Sequence, residues 1–126
     1  MKNEKLTMKN DKNIVAGKSY KFAIRIVNLY KYLKESQKEY VLSKQILRSG
    51  TSIGALIREA EFAQSKSDFI HKLSISLKEA NETAYWIDLL HDTEYINKKM
   101  YNDIKQDIKE LISLLVSIIK SSKKSY

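Results

Sequence analysis

The sequence predicts an all-α protein, folded as an antiparallel, up-down-up-down bundle of four helices. Three observations predict it. The 126 residues include no Pro and only three Gly, too little punctuation for strand-and-turn architectures. Apolar residues recur at alternating intervals of four and three along most of the chain, the spacing of helix stripes. The breaks between stripes span only a few residues, which favours antiparallel neighbours. A chain of this length makes one domain with a genuine core. Residues 1–17 read as a basic polar tail, 18–122 as the bundle and 123–126 as a basic C-terminal tail.

Residues 1–17 are rich in Lys and Asn and read as flexible or helix-extending. Phe22, Ile26, Leu29 and Leu33 then set the first helix, near 18–35. Its stop is marked mainly by the polarity of Glu35 to Glu39. Leu42, Ile46, Ile53, Ile57 and Ala60 predict a second helix over 41–63. It contains Arg48-Ser49-Gly50-Thr51-Ser52-Ile53-Gly54-Ala55, in which five of eight residues are Gly, Ser or Thr. Each Gly costs a helix about 0.5–1 kcal/mol relative to Ala, so a reason is needed. Close approach of a neighbouring helix supplies one. A phosphate-cradling loop does not, because the glycines miss the Walker spacing and no Gly-Lys-Ser/Thr follows.

Leu73, Leu77, Ala80, Ala84, Ile87 and His91 predict a third helix near 67–93 with those residues on its core face. Ser65 or Ser67 is placed to cap it, and Ser65 with Asp68 has capping-box spacing. Ile104, Ile108, Leu111, Leu115 and Ile118 predict a fourth helix near 98–121, capped by Asn97.

Several function classes lack their residues. With no Cys there are no disulfides, thiolate zinc sites or Cys nucleophiles. His71 and His91, the two histidines, show neither His-x-x-x-His nor Glu-x-x-His spacing, so no metal site is expected. His91 reads as a core or helix-end histidine and His71 as a solvated or interface residue. The Arg and His about five positions apart that mark helical-bundle ribonucleases are absent, since Lys66 precedes His71 and Trp86 precedes His91 at that interval. Carboxylates such as Asp103/Asp107 and Glu79/Glu82 sit among lysines at ordinary helical spacings. No catalytic residue, cofactor or enzymatic activity is expected. Leu111 to Ile119 is too short for a membrane span and no apolar stretch backs the N-terminal lysines, so a cytoplasmic, non-membrane protein is expected.

A subunit contact is expected on the third helix. With Leu73 at the centre of the core face and about 100° per residue, Ile75, Trp86 and Leu89 fall on the opposite side. Such an apolar stripe marks an oligomer interface. Ile24 and Val116 also lie outside their core stripes.

The excess positive charge sits at the ends of the chain. Residues 1–21 carry a net +4, residues 120–126 a net +3 and the 98 residues between them only +1. An even number of antiparallel helices brings the two ends together as one basic patch. Lys12, Lys18, Lys21, Lys120, Lys123 and Lys124 are the expected phosphate contacts, with Arg25 the preferred arginine and Tyr20 and Tyr126 available for stacking. Twenty of the 23 basic residues are Lys, so bidentate base reading is not expected. The leading expectation is sequence-independent binding of RNA or DNA. The alternative is a scaffold for protein partners with no direct nucleic-acid role. Arg48 and Arg58, beside Glu59 and Glu61, are expected in ion pairs.

The block YVLSKQILRSGTSIGALIREAEFAQSKSDFIHKLSISLKEANETAYWIDLL, Tyr40 to Leu90, resembles the bacterial four-helix bundle proteins also called 23S rRNA-intervening-sequence proteins. Arg48, Ser49, Ser52, Ile53, Glu59 and Asp68 stand where that family has them, with Ile57, Ser67 and Phe69. The first and fourth helices also fit, so the resemblance covers about residues 18–122. It implies a four-helix bundle that assembles into a homopentamer. The chain is also similar to accessory proteins of diversity-generating retroelements, basic pentamers that bind nucleic acid and a reverse transcriptase. Leu56 stands where the family usually carries Asn, so a polar role of that side chain is not carried over.

Overall fold

The computed structural model describes the backbone of residues 2–124 and the side chains of residues 12–124. Among these residues it is all helix and connection: α1 Lys2–Glu35, α2 Leu42–Glu61, α3 Lys66–Asp92 and α4 Lys98–Lys124. Each helix packs on two others. α1 packs along α2 and α4, and α3 along α2 and α4; across the diagonals the described backbones stay apart, and α1 touches α3 only where Lys12 reaches the Phe69 ring among the described residues. That is the contact scheme of a four-helix bundle.

The helix boundaries follow local chemistry. α1 is helical from Lys2, not from near residue 18, so the lysine-rich segment extends the helix in the described backbone. It ends where Lys38 takes a left-handed φ of 55° and the Glu39 N–H reaches back to the Leu33 carbonyl at 2.9 Å. Glu39 then starts α2. Its buried carboxylate accepts the backbone N–H groups of Val41, Leu42 and Ser43 at 3.2, 3.0 and 2.7 Å, satisfying donors that a helix start leaves open.

Ser65 caps α3 by accepting the Asp68 N–H at 3.0 Å, while the Asp68 carboxylate accepts the Gln64 N–H at 3.3 Å, a reciprocal arrangement of capping-box type. Asn97 caps α4 by accepting the Met100 N–H at 2.9 Å. α4 runs on through Lys123 and Lys124; residues 125 and 126 lie outside the described residues.

All four helices feed one core. Phe22, Ile26, Leu29 and Leu33 of α1, Ile46, Ile53, Ile57 and Ala60 of α2, and Ile104, Ile108, Leu111, Leu115 and Ile118 of α4 are buried as their stripes predict. α3 is turned from the predicted face. Leu73, Ala80 and Ile87 are buried as expected, but Ser76, Thr83 and Leu90 join them, while Leu77, Ala84 and His91 are only half-buried. The reason is hydrogen bonding toward α2. Ser76 Oγ donates to the Ile53 carbonyl at 3.0 Å and Thr83 Oγ1 to Ser49 Oγ at 2.9 Å. Satisfied hydroxyls can enter a core that an apolar pattern does not assign to them.

The two helix-two glycines face α1. A Cβ on Gly50 would stand 2.8 Å from Ile26 Cγ1, and one on Gly54 3.2 Å from Ser19 Oγ. Close helix approach is therefore what the Gly/Ser-rich segment provides.

Candidate functional site

The predicted cations divide into two groups. Lys18 pairs with Glu110 at 3.0 Å. The Arg25 guanidinium pairs with the Asp107 carboxylate and also reaches the Asp103 carbonyl at 3.4 Å. These contacts tie α1 to α4, so the arginine preferred for phosphate is committed inside the subunit. Lys12 is half-buried, its Nζ 4.4 Å from the centre of the Phe69 ring, a cation–π contact.

Lys21, Lys120, Lys123 and Lys124 form the second group. They are exposed, and the described residues give them no ion pair. Buried Ile118, Ile119 and Ser122 turn α4 so that these last lysines face outward. The side chains of Lys2, Lys5 and Lys9, and Tyr126 entirely, lie outside the described residues. Tyr20 is 63% exposed.

The family-motif residues form a polar seam between α2 and α3. Arg48 spans Glu79 at 3.0 Å and Glu82 at 2.6 Å, so its partners are on α3 and not the nearby Glu59 and Glu61. Hydrogen bonding to Glu82, with both carboxylates nearby, raises the Arg48 pKa. Glu82 is held below its ordinary value, first by the Trp86 indole N–H at 3.1 Å and then by Arg48. Ser52 Oγ lies 3.0 Å from Glu79 Oε1 and 2.8 Å from the Ser49 carbonyl.

Ser49 and Ile53 are fully buried. Glu59 pairs with Lys72 at 3.0 Å, and Asp68 belongs to the α3 cap. Arg58 makes no ion pair among the described residues. The motif residues thus hold α2 against α3 and cap α3.

The predicted subunit-contact stripe is less exposed than its helical position implied. Ile75, Trp86 and Leu89 are each half-buried, because α3 is turned and Trp86 packs against the core edge. The exposed aromatic there is Tyr85, edge-on to Trp86 with ring centres 5.1 Å apart. The larger apolar surface is elsewhere. Ile14, Tyr20 and Ile24 of α1 are exposed, as are Tyr40, Val41 and Phe62 at the two ends of α2, Phe62 at 78%.

Between α1 and α2 runs a groove of about 450 Å³ floored by Ala16, Ser19, Ala23, Thr51, Gly54 and Ala55. The sequence signal for it was available: the outward arc of α1 from Ala16 to Val27 is uncharged and mostly small.

His91 stacks on Tyr101 at 4.2 Å at the α3–α4 turn, a helix-end role. Tyr101 and Lys105 both donate to Asp88, at 2.8 and 2.6 Å. Burial acts to raise the Asp88 pKa, but these two donors outweigh it and hold it low. The bond to Asp88 in turn raises the Tyr101 pKa. His71 is exposed. Among the described residues no three His, Cys, Asp or Glu converge on a metal-sized site, and no helix is long and apolar enough to cross a membrane.

Comparison with known proteins agrees with this picture. The model of the 23S rRNA-intervening sequence protein family matches residues 11–117. No curated protein matches the chain. Among solved structures, a protein of unknown function from the S23 ribosomal protein family of Bacteroides thetaiotaomicron is 64% identical over 87% of this chain and 98% of its own, with a TM-score of 0.86. The bundle, the α2–α3 seam and these matches together make the chain a member of the 23S rRNA-intervening sequence protein family.

Proposed function

We propose that this chain is a non-enzymatic, self-associating four-helix bundle that binds RNA or DNA without sequence preference through the basic end where α1 begins and α4 finishes. The observation that carries the reading is the run of three exposed lysines that closes α4, Lys120, Lys123 and Lys124, which the described residues leave without acidic partners, with Lys21 likewise exposed and unpaired further along α1. Unpaired cations are free to replace the counterions of a phosphate backbone, whereas Lys18 and Arg25 would first have to leave their carboxylates.

Residue pairing supports the antiparallel course that brings the ends together. Lys18 meets Glu110 and Arg25 meets Asp107; Gly54 faces Ser19 and Gly50 faces Ile26; Glu59 meets Lys72 and Ser49 meets Thr83. In each helix pair one numbering climbs as the other falls. Family membership supports assembly into a homopentamer, which would repeat the basic end around a ring.

The test is a fluorescence-anisotropy titration of a mixed-sequence oligonucleotide. Lys120→Ala/Lys123→Ala/Lys124→Ala should weaken binding at least tenfold, and unchanged affinity would refute the reading. A second reading, a homo-oligomeric scaffold for a protein partner, is favoured by the exposed apolar residues of α1 and the ends of α2. It would be preferred if the wild type failed to bind any oligonucleotide at low salt.

A further inference from the structure

We infer that the groove between α1 and α2 of one copy receives the Tyr85 face of α3 from a second copy, in a head-to-tail contact. The inference rests on the self-association proposed above and names the two faces that make it.

The groove has the form of an acceptor. Its floor is made of Ala, Ser, Thr and Gly side chains, which let another chain come close, and Tyr20 stands exposed at its edge. Exposed Ile24 and Phe62 extend the apolar surface around it. A surface of this kind on a small domain usually meets a partner. The same lining carries Glu61 and Arg58, neither in an ion pair among the described residues, and Glu59, which Lys72 already holds.

Tyr85 has the form of the matching knob. It is 59% exposed, the one large hydrophobic exposed on α3 among the described residues. Its ring rests edge-on against Trp86, and Trp86 is itself fixed by its hydrogen bond to Glu82. A pre-positioned aromatic loses little freedom on docking. Half-buried Ile75 and Leu89 on the same helix widen the contact. The chain cannot use this knob in its own groove, because Tyr85 points outward from the bundle.

Charge sets the direction. Lys78 lies two turns before Tyr85, about 10 Å along α3, and Glu61 lies about 9 Å beyond Ala55 along α2. Both lack an ion pair among the described residues. With Tyr85 over Ala55 and the visiting α3 opposed to α2, Lys78 of one copy comes beside Glu61 of the other. Because groove and knob are different patches, the contact is heterologous and propagates until a ring closes.

The test uses sedimentation velocity on the full chain, with circular dichroism to verify helicity. Ala55→Trp fills the groove and leaves the knob; Tyr85→Glu spoils the knob and leaves the groove. Both positions are exposed, so both variants should fold. Each alone should sediment as a monomer. Mixed, they should form a one-to-one dimer and nothing larger, since one intact groove and one intact knob remain. A misfolded variant cannot produce that dimer. Wild-type assembly that persists in both variants would overturn the assignment and give the groove to another partner. So would a mixture that stays monomeric. A monomeric wild type would instead overturn the self-association reading itself.

Discussion

Gly50 on α2 lies so close to Ile26 on α1 that a methyl group in place of its hydrogen would stand 2.8 Å from Ile26 Cγ1 and 2.9 Å from Cγ2. Ile26 is fully buried and those carbons sit at its branch point, so the side chain cannot swing away. Overpacking of this kind costs about 1–3 kcal/mol, against about 1 kcal/mol gained in helix propensity. Gly50→Ala should therefore lower stability by roughly 1 kcal/mol. At Gly54 the nearest atom is Ser19 Oγ at 3.2 Å, and Gly54→Ala should be close to neutral. Urea denaturation of the two variants distinguishes packing from propensity; equal effects would contradict the close-approach reading.

Glu39 provides a second test. One buried carboxylate serves three backbone N–H groups at the start of α2. Loss of a helix cap costs about 0.5–2 kcal/mol, and charge-assisted bonds to buried donors stand at the upper end. Glu39→Ala should destabilise the chain by about 2 kcal/mol, and Glu39→Gln by less, since its amide oxygen still accepts. Thermal unfolding followed by circular dichroism measures both.

Acid should weaken the fold through Glu82 and Asp88. Both carboxyls are held below their ordinary values in the folded chain. The unfolded chain therefore binds protons first as pH falls, and their stabilisation, present above about pH 4.3, is lost below it. Tyr101 acts on the other side. Its raised value means that its contribution is complete below about pH 10 and disappears as pH rises through the folded value. Melting temperature against pH should fall less steeply at the acid end for Asp88→Asn than for the wild type, from a lower starting point at neutral pH.

Arg25 should matter to the bundle and not to the ligand. Its guanidinium pairs with Asp107 while remaining half-exposed, so Arg25→Ala should cost at most about 1 kcal/mol and leave oligonucleotide affinity within about twofold, on the scale of one partly screened surface charge. A tenfold loss of binding would place Arg25 in the ligand contact after all.

Much of the fold was legible in the sequence because its signals are local. The stripes of α1, α2 and α4 and the caps at Ser65, Asp68 and Asn97 depend on residues within a few positions of one another. The facing of α3 was not legible, because Ser76 and Thr83 enter the core on hydrogen bonds to α2 that no apolar pattern records. The start of α1 was left open between a flexible tail and a helical extension for a related reason: Lys and Asn leave a helix without an apolar stripe to announce it.

At the candidate site, the accumulation of lysine toward the two ends of the chain followed from charge counting. The commitment of Arg25 to Asp107 and of Arg48 to Glu79 and Glu82 did not, since it depends on how one helix is registered against another. The groove between α1 and α2 escaped for lack of a partner pattern, although its small residues were in plain view.

The central claim, that unpaired lysines at the basic end hold a phosphate backbone, is most directly tested by the salt dependence of oligonucleotide binding. Log affinity should fall linearly with log salt, with a slope of about −0.7 to −0.9 per phosphate neutralised. Removing Lys120, Lys123 and Lys124 together should make that slope shallower by about two to three per contacting subunit, while Arg25→Ala leaves it unchanged. A wild-type slope near zero, or one that the triple lysine variant does not alter, would contradict the account.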